Sequence, residues 1–288
     1  MRHLKRYTQL FEGKQELTKE QIEWLDDCSG GSWKLNSETG LVDVRGNFFC
    51  NRMGLTDFKG VRFGRIDRDF RCQNNRLTSL EGAPRIVGGS FICSENRLSS
   101  LVGAPQKTGD GFNCSGNLLT SLKGAPQSVG GSFSCHQNSL TSLKGAPKIV
   151  RGNFNCSVNS LTTLEGGPEY AEGNYWCSYN MLTSLKGAPR VIEGTFSFSK
   201  NNVASLEGAP LSVSGGIGCE ENPISVESIN NVFDQMQGYG TSLGDSIGEV
   251  WDSIKEEDKP YLAKQNTALS RAEKKAYEDL LKFRDKVI

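Results

Sequence analysis

The 288-residue chain has two histidines and no excess of either charge: 33 Lys and Arg stand against 33 Asp and Glu. Balanced charge with no clustered Lys or Arg lacks the electrostatic footprint of a nucleic-acid binder. No apolar run approaches the ~20 residues of a membrane span, and no secretory signal core follows Met1. Neither a membrane nor a nucleic-acid partner is therefore expected. His3 and His136 are the whole histidine complement, and no Ser-His-acid set, HExxH, phosphate-binding loop or dinucleotide fingerprint occurs. The carboxylate pairs Glu20/Glu23 and Glu220/Glu221 fit a helix start and a solvated edge better than acid–base work. The expectation is a protein that is not an enzyme and carries no cofactor or metal. Hydrophobic residues make up 36%, which is low for this length and suits a narrow core with many turns.

What the chain has is a repeat. From Cys72, steps of 21 reach Cys93, Cys114, Cys135, Cys156 and Cys177, then Phe198, then Cys219; Cys50 lies 22 before. Eight of the nine cysteines share this column, and Cys28 stands outside it. The prolines from Pro84 to Pro210 keep the same step, as do Phe91 to Phe196 with Tyr175 in place of Phe, Asn96 to Asn222, and Leu101 to Leu206. A strict period of this size implies stacked copies, each burying its apolar face on its neighbours. Phe-x-Cys alternation places both side chains on the inner face of a short strand, and Gly-Ala-Pro and Gly-Gly supply turns.

The cysteine column reads best as packing. Rungs ~4.8 Å apart leave little room for a large side chain in every copy, whereas a thiol is small and readily buried. Structural zinc needs four converging ligands, which a straight ladder does not offer, and disulfides between rungs would be badly aimed. Without an export signal, reduced thiols are expected. Phe198 in the column is matched by Val203 in the following Leu slot, as volume compensation would require.

The string Phe91-x-Cys93-x-x-Asn96-x-Leu98-x-x-Leu101 resembles the leucine-rich-repeat core, and "LTSL" followed by a Pro-containing turn resembles its short bacterial type. The resemblance covers residues 46–225, 180 of 288. It implies an α/β solenoid, right-handed, with a parallel β-sheet on its concave face and an inward Asn column bonding backbone at the bend. A 21-residue unit leaves room for little convex helix, and Met53 takes the Asn slot of the first copy.

Residues 13–45 are expected to form an N-terminal cap. Thr18 and Gln21 have capping-box spacing, with Ile22 and Leu25 facing the core, and "SWKLNSETGLVDV" reads as a hairpin. Residues 226–288 have helical patterning and read as a C-terminal cap or a small partner-binding bundle. Residues 1–12, "MRHLKRYTQLFE", are either an ordinary N-terminal helix or a capsid-targeting leader. They resemble the leaders of T-even-like phage internal head proteins, and the layout with "GAP" repeats is similar to leucine-rich-repeat proteins of tailed phages. That resemblance implies a protein of the host cytoplasm, with packaging in the virion as the alternative that a cleaved leader would bring. Bacterial effectors with similar repeats carry a ubiquitin-ligase domain with a catalytic cysteine; here Cys219 is the last cysteine and lies within the array.

A surface remains as the functional feature. Outward positions run Arg71, Ile92, Asn113, Ser134, Asn155, Trp176 and Ser197, followed by His136, Ser157 and Ser178, then Gln137, Val158, Tyr179 and Lys200. Trp176, Tyr179, Val158 and Met181 form an aromatic and apolar cluster on a Ser/Asn face, the composition of an interaction hot spot or a set of stray apolar residues. With Asn155, His136 and Lys200 they are the candidate contacts for a protein partner, bound by a monomer. The competing expectations are a structural virion protein without a host target, and ice or polysaccharide binding through Thr120, Thr141, Thr162 and Thr183, a ladder broken by Ser99 and Ala204.

Overall fold

A computed structural model describes residues 16–225, and the proposed leader (1–12) and C-terminal segment (226–288) lie outside the described residues. The chain forms a β-solenoid whose turns each contribute one short strand to each of two sheets. One sheet has ten strands and the other nine. The hairpin Trp33–Leu35 with Val42–Val44 is antiparallel, and Val42–Val44 then starts the parallel stack of the ten-stranded sheet. Register follows the sequence period: Phe112 pairs with Phe133 and Phe133 with Phe154, while the 22-residue first step sets Phe48 against Phe70.

A single sheet was expected, and the second comes from segments such as Ile86–Val87 and Ile149–Val150, just before the Gly turns. Two residues are too few to show a period of two in the sequence. Their pairing is visible only once the neighbouring rung supplies the ladder. Val87, Thr108, Val129, Val150, Ala171, Ile192 and Val213 point inward from this sheet and are buried.

Between the sheets lies a core of columns. Phe70, Phe91, Phe112, Phe133 and Phe154 stack with centroids 5.5–5.7 Å apart and planes within 17° of parallel. The cysteine column is buried throughout, as are Phe198 and Val203. Tyr175 interrupts the aromatic stack, tilted 35° to Phe154 and 65° to Phe196. Its buried hydroxyl has no hydrogen-bond partner among the described residues. It lies 3.1 Å from where a Cβ on Gly167 would stand. Most other copies carry Ala at this position (Ala83, Ala104, Ala125, Ala146, Ala188), so the extra oxygen of Tyr175 occupies space that the missing methyl leaves.

Two polar ladders close the bends. The Asn column turns inward as expected. In one copy Asn117 Oδ1 accepts Leu98 N–H at 3.0 Å, while its Nδ2 donates to the carbonyls of Cys93 and Cys114 at 3.1 and 3.0 Å. Each Asn thus ties two rungs together, satisfying backbone groups the turn would leave orphaned. Met53 breaks the column, and its N–H donates to Asn75 Oδ1 at 2.9 Å. The second ladder was not anticipated. At the opposite end of the Phe–Cys strands, Asn47, Asp69, Ser90, Ser132, Asn153 and Asn174 each accept the N–H of the equivalent residue on the next rung, at 2.7–3.2 Å.

The helix Lys19–Ser29 packs against the first rung. Thr18 Oγ1 accepts Gln21 N–H and Gln21 Oε1 accepts Thr18 N–H, completing the capping box. Leu25 is buried, but Ile22 is 38% exposed, contrary to the expected inward placement. Trp24 takes the inward position instead, its ring edge-on to Phe48 at 5.3 Å. A flat indole two positions along covers the end of the aromatic column more fully than Ile22 would. Among the described residues this is the sole α-helix, and none is long and apolar enough to cross a membrane.

Candidate functional site

The outer face of the nine-stranded sheet is built by three sequence columns. Strand geometry sends Asn155, Trp176 and Ser197 outward, because Phe154, Tyr175 and Phe196 beside them point in. Asn155 pairs with Trp176, and Trp176 with Ser197, on adjacent rungs. Beyond the strand comes the column of His136, Ser157 and Ser178, half-buried. The chain then turns through a residue of left-handed backbone conformation.

That last column is the least expected feature of the face. Arg52, Asn74, Glu95, Gln137, Val158, Tyr179, Lys200 and Glu221 have φ between 52° and 59°, with Gly116 at 61° in the remaining rung. The left-handed region costs an L-residue roughly 1–2 kcal/mol, least for Gly and Asn. For β-branched Val158, at φ 55°, it is a genuine outlier. Side chains there project from the bend: Val158 is 46% and Tyr179 53% exposed, with Met181, on the Tyr179 rung, also 53% exposed. Gly116 and Asn74 in the same column were the sequence signal for this geometry.

The seven candidate residues divide into two groups. Trp176, Tyr179 and Met181 share one rung, Val158 and Asn155 the preceding one, and Lys200 the following one. Lys200 Nζ lies 4.7 Å from the Tyr179 ring centroid and 3.1 Å from Glu221 Oε1. The Tyr179 hydroxyl first, then the Glu221 carboxylate, raise the Lys200 ammonium pKa. Asn155 Oδ1 accepts Ser157 N–H at 3.0 Å, which commits that atom locally. His136 stands two rungs from Trp176 with Nδ1 3.0 Å from Ser134 Oγ, and Ser134 continues to Ser115 Oγ at 2.9 Å. It belongs to a hydroxyl chain rather than to the apolar patch.

Three surface features escaped the sequence reading: exposed Leu118 (59%), the stacking of Arg71 on Phe49 at 5.0 Å, and Arg52 in the left-handed column. Thr120, Thr141, Thr162 and Thr183 are exposed but sit at bends, outside either sheet. The nine cysteines are free and buried. Burial raises the Cys28 thiol to about 12 and pushes the seven column thiols from Cys50 to Cys177 up as well. Among the described residues no three His, Cys, Asp or Glu side chains are grouped to hold a metal ion. Comparison with protein-family models finds no match, and comparison with curated proteins finds none either.

Proposed function

We propose that the chain is a non-catalytic protein-binding solenoid of leucine-rich-repeat type, encoded by a tailed phage, that engages a protein through the patch Trp176, Tyr179, Val158 and Met181. The leucine-rich-repeat assignment rests on the Phe-x-Cys-x-x-Asn-x-Leu-x-x-Leu string and the inward Asn ladder. The phage origin rests on the resemblance of the "GAP" repeats and the leader.

The observation that carries the binding role is Val158. A β-branched residue in the left-handed region, half exposed, contributes strain and little burial to the fold. Asn74 and Gly116 occupy the same position on other rungs at lower cost. A side chain kept at such a position beside an exposed Tyr and Met, on a rung with Trp176, is accounted for by contact with something outside the chain. Aromatic anchors of this kind dominate binding energy where a partner excludes water around them. The Thr ladder is a weaker reading, because ice recognition needs a flat array and these residues lie at bends.

Affinity purification with the full chain as bait, followed by mass spectrometry, identifies the partner. Trp176→Ala/Tyr179→Ala is expected to weaken its capture by ~1–3 kcal/mol with an unchanged melting temperature. Capture equal to wild type would move the site off this patch.

A further inference from the structure

The apolar patch occupies one half of the outer face, and the other half carries a different chemistry. Arg76 and Arg97 are exposed and hold the same position on adjacent rungs, since Arg76 N–H donates to Leu55 O and Arg97 N–H to Leu77 O. The same column continues through Leu118 to Met181, whose N–H groups make the equivalent bonds to Leu98 and Leu161. Arg52 lies one rung before Arg76, in the left-handed column. None of these three guanidinium groups makes an ion pair among the described residues. Of the other charges named on this face, Arg71 pairs with Asp69 at 2.8 Å, Lys200 with Glu221, and Glu220 with Ser199. Glu95, on the Arg97 rung, lays its carboxylate over Gly116 towards the next rung, so the three arginines remain in excess over one carboxylate at this end.

Like charges stacked in register on neighbouring rungs repel, at a spacing of ~4.8 Å. Three unpaired cations at one end of the face, next to exposed Leu118 and four rungs from Met181, make a surface that is basic at one end and apolar further along. Building on the binding role proposed above, we infer that the partner presents a segment carrying an acidic cluster and an apolar cluster, laid along the solenoid axis. Its carboxylates meet Arg52, Arg76 and Arg97, and its apolar side chains meet Val158, Trp176, Tyr179 and Met181.

The spacing is set by the fold. Four rungs separate Arg97 from Met181, ~19 Å, which an extended strand covers in about six residues at ~3.3 Å each. Charge complementarity at the edge of an interface acts mainly on encounter rate and salt dependence. A single-stranded nucleic acid fits less well, because its phosphates need cations along the whole track. The cation beside the patch, Lys200, is already paired with Glu221.

A random 16-residue peptide library displayed against the full chain tests this inference. Enriched peptides are expected to carry Asp or Glu in a cluster about six residues from aromatic or aliphatic ones. A synthetic peptide of the enriched sequence should bind Arg76→Glu/Arg97→Glu at least tenfold more weakly, and should lose affinity steeply between 50 and 500 mM salt. Both arginines are exposed, and circular dichroism establishes that the variant folds. Enriched peptides without acidic residues, no enrichment over bare support, or affinity indifferent to both arginines and salt would overturn the inference. So would an oligothymidylate competing more strongly than the peptide. Peptides that depend on Trp176 and Tyr179 but ignore the arginines leave the patch standing and remove the acidic partner. Peptides that ignore Trp176 and Tyr179 remove the patch itself.

Discussion

At the residue scale the thiols have a consequence that the packing alone does not display. In the folded chain their pKa values lie far above the ordinary one because burial penalises the thiolate, with neighbouring thiols adding to the shift at several positions. In the unfolded chain they ionise near ~8.5. The folded state therefore holds protons that the unfolded state releases. Stability from this source is full below ~8.5 and is lost as pH rises towards the folded values. Each thiol withdraws ~1.4 kcal/mol per pH unit above that point, and seven act together. Circular dichroism in the presence of reductant should show cooperative unfolding between about pH 9 and pH 11, the window set by this linkage. A fold that is unchanged at pH 11 would mean that the column is not buried as thiol. The same burial makes alkylation of the native protein slow.

At the scale of the element, the Asn ladder carries more of the fold than the thiol column does. Cys135→Ala removes one sulfur from a packed core and should cost ~1–2 kcal/mol. Asn117→Ala leaves Leu98 N–H and the carbonyls of Cys93 and Cys114 without their side-chain partner, inside a buried bend. Each orphaned group costs ~1–3 kcal/mol, so the loss should exceed that of Cys135→Ala by at least ~2 kcal/mol in urea unfolding. Equal losses would show that water replaces the ladder. Elements also decide what could be read in advance. Phe-x-Cys strands and the Asn bend are legible because each unit repeats them with chemically narrow residues. The ten-stranded sheet is not, because Lys107–Thr108, Ser128–Val129 and Tyr170–Ala171 share no residue type that marks a strand. The accepting side chains of the second ladder mix Asn, Asp and Ser, which share only a side-chain oxygen. Ile22 and Trp24 both fit a helical apolar face, and only the exposed end of the aromatic column chooses between them.

At the scale of the molecule, a solenoid lays out its surface as a grid in which sequence period sets one axis and position within the unit sets the other. Trp176, Tyr179, Val158 and Met181 were legible as neighbours for that reason. Their backbone strain was signalled only by Gly116 and Asn74 in the same column, because the bulkier residues on the other rungs carry no mark of a left-handed bend. Arg76 and Arg97 stand 21 residues apart in the sequence, but their lack of an ion pair among the described residues is a property of three dimensions. The charges and apolar groups are thus arranged along the axis while the core stays nearly constant from rung to rung. Function on such a scaffold resides where a unit departs from its neighbours at a cost to the fold, and Val158 is the clearest departure. Replacing it by Asn, the residue that Asn74 shows to fit this bend, should relieve ~1 kcal/mol of strain and raise the melting temperature by ~2–4 °C. The decisive measurement is partner capture by Val158→Asn alongside that melt. Higher stability with weaker capture is the expected result; capture equal to wild type, or a fall in melting temperature, would contradict a side chain held in strain for binding.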